Sequence, residues 1–438
     1  MNDSSRLGAN YWKLWSASLI SNFGDGLAAV AYPWLASAIT RDPVQIALIG
    51  VATRLPWLVF TLPAGVITDR VDRRRIITIM DTVRSLATVG VAVFVFAITD
   101  DLADPTSATT GTGNPWHLAV LYLAALLFGF AEVLRDNAAQ TLMPALVDRT
   151  QLEKANGRLW GAEMVMNSFV GPPLGGVLIA LAFAAPFFAN AATFGISALL
   201  IASLSGTFRA SADVSTTRRS FRADIGEGVR WLWNHRLLRT MGIVLGVMNA
   251  MIMMALATYV LFVQEVLGLE AASFGLLLSA GAVGGVAGSL SASRISRRIG
   301  PGASLFVSIL VLATTYAITG FASSAVLVWG MFVLQGYAGV LWNVITVSLR
   351  QSIIPDRLLG RVNSVYRFFA WGMMPLGSLL GGAVVAVGET VVSREFGLRA
   401  PFWLAGLVFG ILFVYALPTL NTGRIRAAEA EAEAVGTA

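Results

Sequence analysis

The sequence predicts an all-α polytopic membrane protein, and both its composition and the lengths of its apolar stretches indicate that class. Of its 438 residues, 56% are hydrophobic and only 13% are charged, with a mean hydropathy of +0.71. Soluble domains are less apolar and carry roughly 25% charged residues. Apolar stretches of about 20 residues recur along the chain, and each is long enough to cross the hydrocarbon core of a bilayer.

Twelve such stretches follow one another along the chain. They cover residues 14–38, 44–68, 75–98, 117–142, 158–181, 184–206, 238–263, 272–293, 303–323, 325–349, 363–387 and 401–420. The longest polar segment separates the first six spans from the last six. We therefore expect an N-terminal six-helix half at 1–207, a linker with an interfacial helix at 208–237, a C-terminal six-helix half at 238–420 and a tail at 421–438.

The placement of the basic residues predicts the orientation of these spans. Most of the 31 Lys and Arg residues lie in the N-terminus, in the loops after even-numbered spans, in the linker and in the tail. Only Arg41, Arg394 and Arg399 fall in the opposite loops. Because loops rich in Lys and Arg stay in the cytoplasm, we expect both termini to be cytoplasmic.

Several classes of protein are excluded by residue types that the chain lacks. It has no cysteine, which removes disulfides and thiolate sites, and its two histidines do not form a metal-binding pattern. Its only lysines, Lys13 and Lys154, do not follow a glycine, so the phosphate-binding loop of an ATP-driven pump is missing. The arginines lie in short loops between apolar spans, which does not favour nucleic-acid binding. We expect no enzyme activity, no cofactor and no metal.

The two halves share traces of sequence at corresponding places. Ala155–Arg158 opens the fifth span, which continues to Gly175-Gly176, and Arg361–Asn363 opens the eleventh, which continues to Gly381-Gly382. A repeat in register with the topology indicates duplication. The halves are therefore predicted to be two pseudo-symmetric six-helix bundles.

A heavily charged turn joins the second and third spans, with the sequence Gly65-Val-Ile-Thr-Asp69-Arg70-Val-Asp72-Arg73-Arg74-Arg75. Together with twelve spans in two halves, this turn resembles the signature of the major facilitator superfamily. Asp72 departs from the pattern, since the family often has Gly there. The resemblance implies a secondary active transporter that works by alternating access in the inner membrane of a bacterium.

A second motif resembles one branch of that superfamily. Gly171-Pro172-Pro173-Leu-Gly175-Gly176 in the fifth span is similar to a motif of drug–proton antiporters. With Gly24–Gly26 and Arg54–Pro56, the chain looks most like bacterial exporters of macrolides, tetracycline-like drugs and siderophores. This resemblance implies export of a small amphiphilic or cationic compound in exchange for protons. A siderophore or specific metabolite is the alternative substrate, and a lipid-handling or receptor protein that does not transport is a remote alternative.

The partners expected from this resemblance are a small-molecule substrate, protons and membrane lipids. Nothing in the sequence indicates an oligomer, so we expect a monomer.

The resemblance also implies a conformational clamp. The family pattern places Asp69 near the start of the eleventh span, at the N-terminus of a helix whose dipole would favour a carboxylate. Arg70, with Arg73 or Arg74, could then pair with Asp136 at the end of the fourth span. We assign Gly65 to the same clamp. The alternative is that these arginines only set the topology.

Charges inside the spans are the next candidates, because a charge at mid-bilayer is costly and usually functional. Asp25 lies near the middle of the first span and could carry a proton or act as counter-ion to a cationic substrate. Arg54 in the second span is a candidate partner for it. The alternative is that Asp25 and Arg54 form a purely structural pair.

Other charged residues within the spans receive lesser roles. Glu132 and Glu163, in the fourth and fifth spans, are secondary candidates for proton coupling. Asp81 and Arg84 in the third span are interpreted as structural or as part of the clamp.

The fifth span is predicted to bend at Gly171, Pro172, Gly175 and Gly176, because proline removes a backbone donor and glycine permits close contact. Such a bend could help to seal the cavity in one state, or it could be a packing kink.

The substrate cavity is predicted near mid-membrane. Polar and aromatic side chains of three spans are its candidate lining: Asn22, Asn249, Gln335, Trp342 and Asn343. The methionines around Asn249 offer an adaptable surface, although a methionine cluster in an apolar helix is more often plain packing.

Overall fold

The computed structural model of the protein describes residues 7–102, 113–209 and 221–436. These ranges are almost entirely helical, which confirms the all-α polytopic class. The helices are α1 (Ala9–Ile39), α2 (Pro43–Arg70), α3 (Arg73–Ile98), α4 (Pro115–Leu142), α5 (Leu152–Met164), α6 (Gly171–Leu181), α7 (Ala185–Ala202), α8 (Phe221–Asn234), α9 (Arg236–Ala257), α10 (Tyr259–Leu261), α11 (Ala271–Ile299), α12 (Pro301–Phe321), α13 (Ala325–Ile353), α14 (Asp356–Val391), α15 (Arg394–Ala416) and α16 (Thr422–Gly436).

Eleven helices of the described ranges are long and apolar enough to cross a membrane. They correspond to the second to twelfth predicted spans. The first predicted span lies in α1, which has 31 residues and so a length of about 46 Å. Polar residues such as Asn22 and Asp25 lower the hydropathy of α1, while its length still suits a span.

The chain divides into two compact units. The first unit is Met1–Asp213 with Val263–Ser279, and the second is Val214–Phe262 with Ala280–Ala438. The segment 263–279 therefore packs with the N-terminal helices, although it follows the seventh predicted span in the sequence. The predicted domain boundaries themselves stay a prediction.

Helix starts follow the local sequence. The Asp42 carboxylate accepts a hydrogen bond from the Val44 backbone N–H at 2.8 Å and caps α2, with Pro43 at its first position. The Asp72 carboxylate accepts from the Arg75 N–H at 3.2 Å and caps α3 in the same way. Two acidic caps thus set where the helices of the second and third spans begin.

The fifth span is one helix with a wider turn in its middle. Between α5 and α6 the chain forms a π-helical segment, Val165–Val170, directly before Pro172 and Pro173. These prolines have no N–H to donate to the carbonyls one turn earlier, and a π segment is one way to accommodate that loss. The irregularity therefore lies just before the predicted bend.

The linker contributes the helix α8, which packs within the second unit. The Trp233 ring lies 6.4 Å from that of Phe369 in α14, and the Glu227 carboxylate pairs with Arg361 at 2.5 Å. A Cβ at Gly228 would lie 3.0 Å from the Arg361 carbonyl oxygen, so a larger residue would push the two helices slightly apart. A helix in the linker was predicted, and its position at the membrane interface stays a prediction.

Candidate functional site

The interior of the first unit holds a buried ion network. Arg84 of α3 forms a salt bridge with Asp25 of α1, and its guanidinium also lies 3.7 Å from Asp81, one turn earlier in α3. The side chain of Arg84 is 1% exposed and that of Asp81 is fully buried, whereas Asp25 is 19% exposed. Asp25 is thus the open end of an otherwise enclosed set of charges.

Aromatic rings fix the Arg84 guanidinium in place. Its central carbon lies 4.3 Å from the ring centroid of Phe128 and 3.9 Å from that of Phe194. A guanidinium beside aromatic rings gains cation–π attraction, which is strongest where water is excluded. The Ser21 hydroxyl accepts a further hydrogen bond from Arg84 at 3.3 Å. Two neighbouring aromatic rings and the Ser21 hydroxyl therefore hold Arg84 in place.

Arg135 of α4 extends the network towards the end of that helix. Its Nε lies 3.5 Å from Asp81, and its Nη1 lies 3.2 Å from Asp136. The Ser197 hydroxyl donates to the other oxygen of Asp81 at 2.6 Å. We call Asp25, Asp81, Arg84, Arg135 and Asp136 the Arg84 network.

Carboxylates outnumber arginines around this network. Glu132 is close enough to interact electrostatically with Arg84 and Arg54, and Glu163 interacts in the same way with Arg135. Five carboxyl groups thus surround two network arginines and Arg54. Uncompensated charge in a low-dielectric interior is costly, so the surplus can be relieved by a proton or by a bound cation.

The network differs from the predicted pairing of Asp25. Its partner is Arg84 rather than Arg54, and no ion pair joins Asp25 to Arg54 in the ranges that the structure describes. Arg84 was interpreted as structural or as part of the clamp, and Arg135 was given no role. The relevant signal was the spacing of Asp81 and Arg84, which puts both on one face of α3. Which helix that face meets depends on tertiary packing.

The charged turn between α2 and α3 holds the segment after α7. Arg74 donates to the Leu204 carbonyl at 2.7 Å, and Asp72 accepts from the Phe208 N–H at 2.8 Å. The Arg73 N–H donates to the Phe208 carbonyl at 3.3 Å. These carbonyls lie beyond the last residue of α7 and are not bonded within a helix, so they can accept from the charged turn.

These contacts revise the predicted clamp. Asp136 pairs with Arg135, and among the described residues no ion pair joins Asp136 to Arg70, Arg73 or Arg74. Arg70 is exposed at the end of α2. A Cβ added at Gly65 would meet no atom within 4 Å. The side chain of Asp69 lies outside the described residues, so its predicted contact stays a prediction.

The predicted bend lies against the part of α1 that carries Asp25. A Cβ at Gly26 would lie 2.7 Å from the Asn167 carbonyl oxygen and 2.8 Å from the Gly171 Cα. Gly175 approaches the Leu27 backbone, with 2.9 Å between a built Cβ and the carbonyl oxygen. Gly171 and Gly175 thus let the fifth span pack directly on the Gly24–Gly26 turn of α1.

The remaining residues of that motif and Asn22 complete the contact. Gly176 packs against the Ala271 backbone, and Pro172 is buried with its carbonyl against Gly275. The Asn22 side-chain oxygen accepts from the Asn167 amide at 3.4 Å. The motif therefore touches both α1 and the start of α11 inside the first unit.

The predicted cavity residues of the second unit have mixed surroundings. The Asn249 amide donates to the Ala370 carbonyl at 2.9 Å and so ties α9 to α14. Gln335 and Trp342 are buried on α13, and Asn343 is exposed.

An open apolar groove of about 840 Å³ runs along α12 and α15 near Trp403, and none of the predicted cavity residues lines it.

Known membrane proteins resemble this chain over nearly its whole length. The profile of a family described as "Transmembrane secretion effector" matches residues 8–428. The chain is 28% identical to the multidrug efflux pump Tap of Mycolicibacterium fortuitum, over 90% of this chain and 93% of that protein. It is 28% identical to Tap of Mycobacterium tuberculosis, over 93% and 90%. It is 26% identical to the enterobactin exporter EntS of Salmonella typhimurium, over 93% and 92%.

Solved structures share the fold at low identity. A point mutant of the nucleoside transporter NupG superposes with a TM-score of 0.73 at 12% identity, covering 93% of this chain and 99% of that one. A bacterial homologue of the iron transporter ferroportin in an inward-facing state gives 0.68 at 17% identity, covering 93% and 98%. At such identities the likeness concerns the fold alone.

Proposed function

Because this chain belongs to the transmembrane secretion effector family of major facilitator transporters, we propose that it exports a small amphiphilic or cationic compound in exchange for protons. The chain is an integral membrane transporter of small molecules and not an enzyme. We further propose that it acts as a monomer in the bacterial inner membrane, with both termini in the cytoplasm. Relatives of similar length that are multidrug efflux pumps support the direction of transport.

The observation that carries the proton-coupled mechanism is the Arg84 network. Its arginines are enclosed, its carboxylates are in surplus, and Asp25 in α1 and Asp136 at the end of α4 are its members with an exposed edge. A proton on Asp25 would weaken its salt bridge with Arg84. Arg84 would then pair with Asp81 alone. A cationic group of the substrate could replace that proton, so the two would compete for one carboxylate.

That competition would couple transport to the proton gradient. An exporter needs one carboxylate that binds substrate from one side and a proton from the other, with alternating access between the two states. Glu132, Asp136 and Glu163 would then relay protons between Asp25 and the end of α4. Arg135 would keep this relay charged and ordered.

A second candidate function is export of a siderophore or of one specific metabolite. The similarity to an enterobactin exporter supports it. The same network would serve this function, since proton coupling does not depend on the substrate. A dedicated substrate would be distinguished by failure to move unrelated dyes.

The test is efflux of a cationic fluorescent dye from cells that express the chain, with and without a protonophore. Asp25→Asn keeps the size of the side chain and removes its charge, so we expect loss of most of the efflux at unchanged protein levels. Asp148→Asn is the matched control, because Asp148 is an exposed acid in the turn before α5. We expect the control to behave as wild type.

Three results would argue against the proposal. Efflux that continues in the presence of the protonophore would contradict proton coupling. An Asp25→Asn variant as active as wild type would remove Asp25 from the mechanism. If the wild-type chain exports no dye, the proposed substrate changes from a drug-like compound to a siderophore or metabolite.

A further inference from the structure

Two arginines of the second unit lie close together. Arg350 is in the last turn of α13, and Arg367 is in α14 near the end that contacts α8. Within the described ranges neither forms an ion pair, and the two are near enough to repel each other. Arg350 is half-buried. A partly buried cation that faces a second cation is unfavourable unless an anion joins them.

The geometry of Arg350 leaves the terminal N–H groups of its guanidinium available to a ligand. Its guanidinium carbon lies 4.0 Å from the ring centroid of Tyr366, so one face is stacked on that ring. Its Nε donates to the Thr346 carbonyl at 3.3 Å. The terminal nitrogens have no partner among the described residues. Stacking leaves their N–H groups pointing outward in one plane, the arrangement that binds a carboxylate through two parallel hydrogen bonds.

The surface beneath this arginine is rigid. Tyr366 is 1% exposed, and its hydroxyl donates to the Met241 carbonyl of α9 at 3.4 Å. Gly242 backs the ring, since a Cβ there would lie 3.6 Å from it. A donor fork held on a buried ring needs little reorganisation when a ligand arrives.

We propose that Arg350 and Arg367 bind the anionic group of the exported compound, the carboxylate of an amphiphile with an apolar body. Arg350, held on the Tyr366 ring, donates the paired hydrogen bonds, and Arg367 adds positive charge. The identity of the anion as substrate rests on the proposed export function, whereas the binding itself does not require transport. The phosphate of an anionic lipid headgroup offers the same chemistry from another source.

The test measures binding of three matched naphthalene compounds to the purified full chain in phosphatidylcholine nanodiscs, by isothermal titration calorimetry. The compounds are 2-naphthoate, neutral 2-naphthamide and a cationic naphthylmethylammonium. We expect naphthoate to bind at least about 10-fold more tightly than naphthamide. Arg350→Gln should remove that preference without changing naphthamide binding, and Arg350→Lys should keep only part of it.

The controls separate this site from a general effect of positive charge. Arg298→Gln removes an exposed arginine at the end of α11 and should leave naphthoate binding as in wild type. An unchanged thermal unfolding midpoint shows that Arg350→Gln is folded. Equal binding of naphthoate and naphthamide, or naphthoate binding by Arg350→Gln at wild-type strength, would overturn the proposal.

Nanodiscs with phosphatidylglycerol distinguish the two sources of the anion. If that lipid displaces naphthoate from wild type and stabilises wild type but not Arg350→Gln, the anion site stands and a lipid headgroup fills it. If it does not displace naphthoate, the site stands as a substrate site. If the wild-type chain binds naphthoate but exports no dye, the result contradicts the proposed export function and not this binding site.

Discussion

The two units bury different chemistry in equivalent helices. In the first unit α3 contributes Asp81 and Arg84 to an ion network. In the second unit α12, which follows the same position in chain order, carries no charge and buries hydroxyls such as those of Ser308 and Thr315. Each of these hydroxyls donates to a backbone carbonyl one turn earlier, at 3.0 Å and 2.6 Å. Hydroxyl groups that bond their own helix do not link it to its neighbours.

Aromatic rings take over the linking role in the second unit. Tyr259 stacks on Phe332 with 4.9 Å between centroids, and Phe262 lies 4.7 Å from Phe402. Such contacts change little with pH or with a bound ion, whereas a network with surplus carboxylates changes with both. The difference favours our proposal that the first unit is the part that responds to protons.

The largest expected effect comes from removing Arg84. In Arg84→Met the Asp25 carboxylate loses its partner, and breaking a buried ion pair costs about 3–5 kcal/mol. We expect a clearly lower free energy of unfolding and no dye efflux, measured by thermal unfolding in detergent and by the efflux assay.

The double variant Asp25→Asn with Arg84→Met tests the reason for that loss. Removing the orphaned charge should restore most of the stability but none of the transport. If the single variant is as stable as wild type, the network is not a stabilising element of the first unit.

The glycine contacts give a paired comparison between the units. Gly26 has no room for a Cβ against Asn167 and Gly171, and Gly336 has none against Gly281. Either change to Ala forces overpacking of about 1–3 kcal/mol. Gly26→Ala also displaces the adjacent Asp25, so we expect it to reduce efflux per folded molecule, whereas Gly336→Ala lowers only the amount of folded protein. Equal activity per molecule in both variants would remove the link between the α1 contact and Asp25.

Serine hydroxyls in the two units sharpen the same contrast. Ser197→Ala removes a hydrogen bond to the buried Asp81 and should cost about 1–3 kcal/mol, because a buried carboxylate oxygen is left short of a donor. Ser308→Ala removes only a bond to its own helix and should cost less than about 1 kcal/mol. Unfolding midpoints of both variants at one pH measure the difference. A larger loss in Ser308→Ala would reverse the comparison.

The smallest effect concerns His235, a titrating group at the start of α9 in the second unit. Its Nδ1 accepts from the Leu238 N–H at 3.3 Å, and burial lowers the pKa of the imidazole below its ordinary value of 6.5. The unfolded chain therefore takes up a proton first as the pH falls through about 6.5, and the contribution of this cap is lost there. Stability should decline slightly below that pH in wild type.

His235→Asn keeps a capping side chain and removes the titration. The unfolding midpoints of both proteins are measured between about pH 5.5 and 7.5, on either side of the ordinary histidine pKa. The midpoint of the variant should not show the small decline at low pH. An identical pH profile for the two would exclude His235 as its source.

Part of the candidate site could be predicted from the sequence. A charge within an apolar stretch is costly, and this rule selected Asp25, Glu132 and Glu163 without any structure. The same rule marked Arg84 as structural or part of the clamp without assigning its partner, and Arg135 was given no role. Partner choice depends on which faces of α1, α3 and α4 meet, and helix periodicity gives a face without giving its neighbour.

The contacts of the charged turn between α2 and α3 could not be predicted from the sequence. Its motif indicated the family and the topology, yet the nearest acceptors for Arg74 are the carbonyls after α7, which no sequence pattern marks. Likewise, Asn249 was assigned to the cavity because it is polar in an apolar span, and its amide instead bonds the Ala370 carbonyl. Backbone carbonyls are present at every residue, so their availability is a property of the folded chain.

Composition, span lengths and loop charges by themselves predicted a helical membrane protein of two six-span halves, because the bilayer excludes charge and loops rich in Lys and Arg stay in the cytoplasm. That it is a transporter was implied only by the resemblance of its charged turn to a family signature. Tertiary structure alone decided that Asp25 pairs with Arg84, that Arg135 bridges Asp81 and Asp136, and that Arg350 lies on the Tyr366 ring. Electrostatic pairing acts over a few ångströms between distant parts of the chain, and only the packed helices set those distances.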